Sequence, residues 1–103
     1  FLEGTGVTTL DFAKALIDQG FHPMTMYFPL VVHGALLIEP TETESKETLD
    51  LLVKTMTEMA AKAKAGDVAF FTEAPKLTPR RRLDETLAAR KPILVWKSDS
   101  EQD

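Results

Sequence analysis

Two histidines, His22 and His33, four glutamates at 39, 42, 44 and 47, and an arginine triplet at 80–82 are the residues whose types could do chemistry. The histidines are separated by an apolar stretch, and no acid stands at metal-ligand spacing to either, so no metal site is expected. His33 reads as a turn residue. His22, directly before Pro23 at the exit of a helix, reads as a residue that orients the chain or projects toward an adjoining domain. Glu42, Glu44 and Glu47 stand where the positive end of a helix dipole favours acids, which accounts for them without a carboxylate site. Glu39 differs, because it ends an apolar strand before Pro40 and would need a partner if buried.

Arg80, Arg81 and Arg82 admit two readings. One is an independent binding module for a polyanion, reinforced by Arg90 and Lys91; the other is a solvated or subunit-facing patch. Absence of interleaved aromatics and a net charge of −4 favour the second, so no nucleic-acid partner is expected. The lysines lie at 14, 46, 54, 62, 64, 76, 91 and 97, none in a Gly-rich or Ser/Thr-rich context of the kind that cradles phosphate. With no cysteine there is no thiolate, disulfide or cysteine nucleophile, which agrees with a reducing compartment, and cytoplasm is the default expectation. No nucleophile–base pair, paired catalytic carboxylates or metal cluster is visible, so no self-contained catalytic site is expected.

The elements that must position these residues follow from local pattern. Thr8 caps a helix with Asp11 three residues on, Val7 packs on Phe12, and Leu10, Ala13, Leu16 and Ile17 form a stripe running to about Gln19. Gly20 supplies the left-handed stop. Met24 to Val32 and Ala35 to Glu39 read as two strands of a hairpin turning at His33-Gly34, with Pro29 at an edge, a bulge or the end of the ladder. The caps between Thr41 and Ser45 open a long helix whose stripe is Leu49, Leu52, Val53, Met56, Met59, Ala60 and Ala63, ending near Gly66.

Beyond it the chain is less regular. Val68 to Phe71 reads as a strand or one more helical turn, Pro75 and Pro79 make residues 74–82 an extended connector, and Asp84 caps a short helix to Arg90, stopped by Pro92. Ile93-Leu94-Val95-Trp96 is a last apolar segment before a polar, frayed tail. The expected divisions are a helix–hairpin–helix unit at 1–72, an irregular arm at 73–97 and the tail at 98–103. The architecture implied is α+β, helices packed on a short, mainly antiparallel sheet. Two strands alone are marginal, so a third is expected from Val68–Phe71, from Ile93–Trp96 or from outside this chain.

Composition sets the bounds. At 103 residues, 44% hydrophobic and 27% charged, the chain is an ordinary globular domain rather than a disordered segment, and its size excludes a large core or a deep cofactor cavity. No apolar run approaches the roughly 18–20 residues needed to span a bilayer, and no secretory leader is visible. The first residue is Phe1 rather than Met, which suggests a chain cut from something longer.

Gly20-Phe21-His22-Pro23, Tyr27-Phe28-Pro29-Leu30 and the continuous run Ala35 to Glu47, LLIEPTETESKE after its alanine, closely resemble the C-terminal region of the glycine cleavage system P-protein family. The tail narrows the resemblance to the subunit 2 branch of the two-subunit glycine dehydrogenase (decarboxylating). Glu73-Ala74-Pro75, Thr78-Pro79, Arg81 to Glu85 and Ala88 to Pro92 carry it, and the likeness covers residues 7 to 97. Met24 departs from the family, which usually has a second proline there, and Arg80 stands where an apolar residue is common.

The resemblance implies the small C-terminal domain of a fold-type-I, aspartate-aminotransferase-like enzyme dependent on pyridoxal phosphate (PLP). In such an enzyme glycine bound to the cofactor loses its carboxyl group as CO2, and the aminomethyl group passes to the lipoyl arm of H-protein, the cofactor acting as electron sink. The Schiff-base lysine of the family lies in a His-Lys-Thr type motif absent here, so the resemblance implies no catalytic or cofactor-binding residue in this chain, no bound cofactor and no activity alone. Implied partners are the large PLP domain of its own parent chain, subunit 1 of the P-protein and lipoylated H-protein. His22, Thr25, Tyr27 and Phe28 are the candidates for the substrate entrance, with hairpin packing as their other reading. The small domain of another fold-type-I PLP enzyme is the alternative within the class.

Overall fold

The computed structural model describes residues 1–98. Element order is α1 (Thr9–Asp18), β1 (Thr25–Met26), β2 (Leu36–Leu37), α2 (Lys46–Lys64), α3 (Val68–Thr72) and α4 (Glu85–Arg90). This is a small α+β arrangement with one two-stranded antiparallel sheet, Thr25 opposite Leu37 and Met26 opposite Leu36.

The first helix forms as its sequence dictates. Thr8 Oγ1 accepts from the Asp11 N–H at 3.1 Å, and Asp11 Oδ2 accepts from the Thr8 N–H at 3.1 Å, a reciprocal capping box. Gln19 ends the helix and Gly20 follows at φ 88°, so the Phe21 N–H can return to Leu16 O at 3.1 Å. Val7, Phe12, Ala15 and Leu16 enter the core, where Phe12 stacks on Phe71 with centroids 5.8 Å apart and planes 13° from parallel. Met59 and Ala63 from α2, with Ala74 after α3, complete it.

Three expectations change. The strands are far shorter than the apolar runs that suggested them: β1 and β2 hold two residues each, and the ladder ends at the Tyr27 N–H bond to Ala35 O, 2.7 Å. Tyr27 has φ 59°, which turns the chain out of the extended conformation, and Pro29 to Val32 then close a turn, Val32 N–H to Pro29 O at 3.2 Å. Leu30, Val31 and Val32 are consequently exposed rather than paired. Second, neither of the two segments within this chain that could have given a third strand does so among the described residues: Val68–Phe71 takes its other reading, a helical turn, as part of α3 capped by Asp67, and Ile93–Trp96 is irregular. Third, α2 begins only at Lys46, capped by Ser45 Oγ accepting from the Thr48 N–H at 3.1 Å, so Glu47 alone of the three acids lies in its first turn.

The stripe on α2 is buried unevenly. Met59 and Ala63 are buried, Leu49, Leu52, Met56 and Ala60 half-buried, and Val53 is 65% exposed; the α2 residues of the core cluster, Met59 and Ala63, both lie in the helix's second half. The Cα radius of gyration is 16.7 Å, against about 13 Å for a compact domain of this length. Residues 99–103, most of the tail expected to fray, lie outside the described residues.

Candidate functional site

The exit of α1, the hairpin and the start of α2 enclose an open cleft of about 490 Å3. The Gly20 reversal brings His22, Pro23 and Met24 along one wall into β1; Leu37 to Pro40 follow from β2; Glu44, Thr48, Leu49 and Leu52 close the other side. Apolar side chains alternate here with an imidazole, two hydroxyls and two carboxylates, a lining suited to holding a polar group over an apolar floor.

His22 and Thr25 both line this cleft. Tyr27 faces a second groove, about 770 Å3, between the N-terminal segment and the hairpin turn, shared with His33 and Gly34. Its hydroxyl accepts from the Leu10 N–H at 3.2 Å, which meets one of the unpaired donors at the start of α1. Phe28 is exposed and lines neither space. The structure thus brings two of the four candidate residues together and separates the others. Glu39 is exposed on the cleft rim, so it needs no buried partner.

The hairpin is held to α1 at a second point, where Thr9 Oγ1 donates to Gly34 O at 2.7 Å. Gly34 has φ 62°, and a Cβ there would come within 2.9 Å of Thr9 Oγ1, so glycine is required on both counts.

The arginine triplet is largely spent inside the molecule. Arg82 meets Asp11 at 2.8 Å and donates to Ala74 O at 2.7 Å and Phe71 O at 2.9 Å. Arg81 donates to Glu73 O at 2.6 Å. Burial pushes the Asp11 carboxyl up, but the Thr8 N–H, the Arg82 guanidinium and the Thr8 hydroxyl outweigh it and hold the group below its ordinary value. Lys76, hydrogen-bonded and ion-paired to Glu73, likewise lowers the Glu73 carboxyl, helped by Arg81. Asp18 fixes the start of the arm by accepting from the backbone N–H groups of Lys76 and Leu77 at 2.7–2.9 Å across 58 residues of sequence. Sequence reasoning missed the Asp11–Arg82 and Asp18–Lys76 contacts; each joins distant segments, and no local spacing announces either. No cluster of three or more potential metal ligands occurs among the described residues. Nor is any helix among them long and apolar enough to cross a membrane.

A family model described as glycine dehydrogenase, C-terminal domain, matches residues 1–75. The chain belongs to that family. Among curated relatives of this glycine dehydrogenase domain, a probable glycine dehydrogenase (decarboxylating) subunit 2 of Caulobacter vibrioides is 70% identical over 97 residues, 94% of this chain and 18% of the relative. The correspondingly named proteins of Caldanaerobacter subterraneus and Listeria welshimeri are 59% and 53% identical, over 87% and 91% of this chain and 18% and 19% of their own lengths. The chain therefore spans under a fifth of these glycine dehydrogenase relatives. Their similarity runs on past residue 75, where the family model stops, into the arm.

Proposed function

We propose that this domain is the C-terminal part of a PLP-dependent glycine-decarboxylating subunit that covers one side of the active-site cleft. The parent enzyme, a fold-type-I protein in the cytoplasm, removes CO2 from glycine and passes the aminomethyl group to the lipoyl arm of H-protein, working with a subunit 1. What carries the reading is the 70% identity to a subunit 2 over nearly the whole chain, together with the family match.

The described residues do not make a seat for PLP by themselves. No lysine lines the cleft, and the charged groups that do are Glu39 and Glu44, which repel a phosphate. Five lysines are engaged with carboxylates, from Lys46–Asp50 at 2.6 Å to Lys54–Glu58 at 3.9 Å, with Lys14–Glu85, Lys62–Asp67 and Lys76–Glu73 between. The domain's part is positional: the capping box, the Tyr27 hydroxyl and the Thr9–Gly34 bond orient the hairpin, and the hairpin presents His22 and Thr25. In this proposal those two face the substrate entrance, Tyr27 holds the hairpin that carries them, and Phe28 packs on the neighbouring domain.

The test is a transplant. In the Caulobacter vibrioides relative the matching segment is deleted or replaced by this chain, and glycine-dependent CO2 exchange is measured with subunit 1 and H-protein. The deletion should abolish exchange and the transplant restore it. A transplant that folds and loads PLP without exchanging CO2 would overturn the reading.

A further inference from the structure

Three charged residues of α1, Asp11, Lys14 and Asp18, follow one another at spacings of three and four and so lie on one face of the helix. All three are engaged with the arm. Asp11 meets Arg82 at 2.8 Å, Lys14 meets Glu85 at 3.8 Å, and Asp18 Oδ1 accepts from the backbone N–H groups of Lys76 and Leu77, both at 2.9 Å. The long central pair adds little, so the arm grips the first and the last turn of a helix about 15 Å long.

Asp18 is the informative member. It sits in the last turn of α1, against the negative end of the helix dipole, and no basic residue shares that turn. The helix by itself is not stabilised by an acid there. What the carboxylate does is fix two N–H groups at the start of the arm.

The same two turns carry the cleft wall. At the end of α1 the Gly20 N–H donates to Ile17 O at 3.0 Å and the Phe21 N–H to Leu16 O at 3.1 Å, which sets the direction in which the chain leaves toward His22. At its start Thr9 Oγ1 donates to Gly34 O and the Leu10 N–H to the Tyr27 hydroxyl, which fixes the hairpin. The segment from Gly20 to Tyr27, with His22 and Thr25 on the cleft, is therefore tied to α1 at both of the turns that the arm holds.

We propose that the arm is a brace for the cleft: Asp18 and Arg82 are positioning residues that hold α1, and through it the wall bearing His22 and Thr25, in the geometry the substrate entrance needs. This rests on the entrance reading above.

The test uses the full-length subunit that contains this domain, with its subunit 1 and H-protein, and reads KM and kcat for glycine-dependent CO2 exchange. Asp18→Ala relieves the helix end while cutting the arm contact, so it should raise the glycine KM on the order of three- to tenfold with kcat and PLP content little changed. Asp18→Asn, whose amide oxygen can still accept from Lys76 and Leu77, should restore most of the difference. Arg82→Lys, which loosens the brace at its other end, should shift KM the same way. In a His22→Ala background Asp18→Ala should add little, because the group it positions is gone. An unchanged KM in Asp18→Ala and Arg82→Lys, an Asp18→Asn variant as impaired as Asp18→Ala, or fully additive effects with His22→Ala overturns the brace. The two levels separate: a raised KM in His22→Ala beside an unaffected Asp18→Ala removes the brace alone, whereas an unaltered KM in His22→Ala, or no exchange by a folded, PLP-loaded unmodified pair, removes the reading beneath it and the brace with it.

Discussion

Arg82 closes on Asp11 at 2.8 Å, and the same guanidinium reaches the carbonyls of Phe71 and Ala74, so one side chain joins the first turn of α1, the end of α3 and the arm. The carboxylate is 10% exposed and the guanidinium 35%, a pair set between the surface and the interior.

Replacing Arg82 by leucine leaves Asp11 largely buried without its cation and two carbonyls without a donor. The expected loss is about 2 kcal/mol, above a surface ion pair and below a fully buried one. Arg82→Lys should recover less than half of it, because one ammonium cannot span the carboxylate and both carbonyls. Urea midpoints of the two variants measure this, and equal midpoints for lysine and arginine would show that charge alone matters.

The lowered Asp11 carboxyl sets a direction for acid stability. Its folded-state pKa lies below the unfolded value of 3.8, so its contribution is complete above that value and disappears as pH falls through the folded-state pKa. Stability should therefore decline on acidification below about pH 4, and Asp11→Asn should lower stability at neutral pH while flattening that decline. Urea titrations between pH 2 and 7, a range chosen to span roughly both carboxyl values, give the slopes; parallel curves for the two proteins would contradict the assignment.

Gly34→Ala meets two penalties, the positive φ and the approach to Thr9 Oγ1. A cost of roughly 1–3 kcal/mol is expected. Adding Thr9→Ala removes the collision but also the bond to Gly34 O, so the double variant should be less destabilised than the sum of the single ones, a coupling that a double-mutant cycle measures. Additive effects would mean that the backbone angle carries the whole cost.

Where local chemistry sufficed, the fold was legible: Thr8 with Asp11, the Gly20 stop, Asp84 as the cap of α4 and the apolar face shared by Met59 and Ala63 all stand as the sequence implies. The hairpin was legible in place and sense but not in length, because an apolar, β-branched run such as Leu30 to Val32 can also lie in an exposed turn, as it does after Tyr27. The same ambiguity hid the fate of Ile93–Trp96. At the cleft, the likeness around His22 singled out a loop that lines the space, while the split between Thr25 and Tyr27 depended on φ 59° at Tyr27, which a tyrosine does not advertise.

The uneven burial of α2 makes one helix into two thermodynamic regions. Its 19 residues span about 28 Å, and only the half carrying Met59 and Ala63 shares the core with Phe12 and Phe71. Amides in that half should therefore exchange most slowly, whereas the turns around the exposed Leu51 and Val53, held by the Ser45 cap, the Lys46–Asp50 and Lys54–Glu58 pairs and helix propensity, should open at lower cost. In this sense α2 is a fully formed helix with only part of its length anchored in the core.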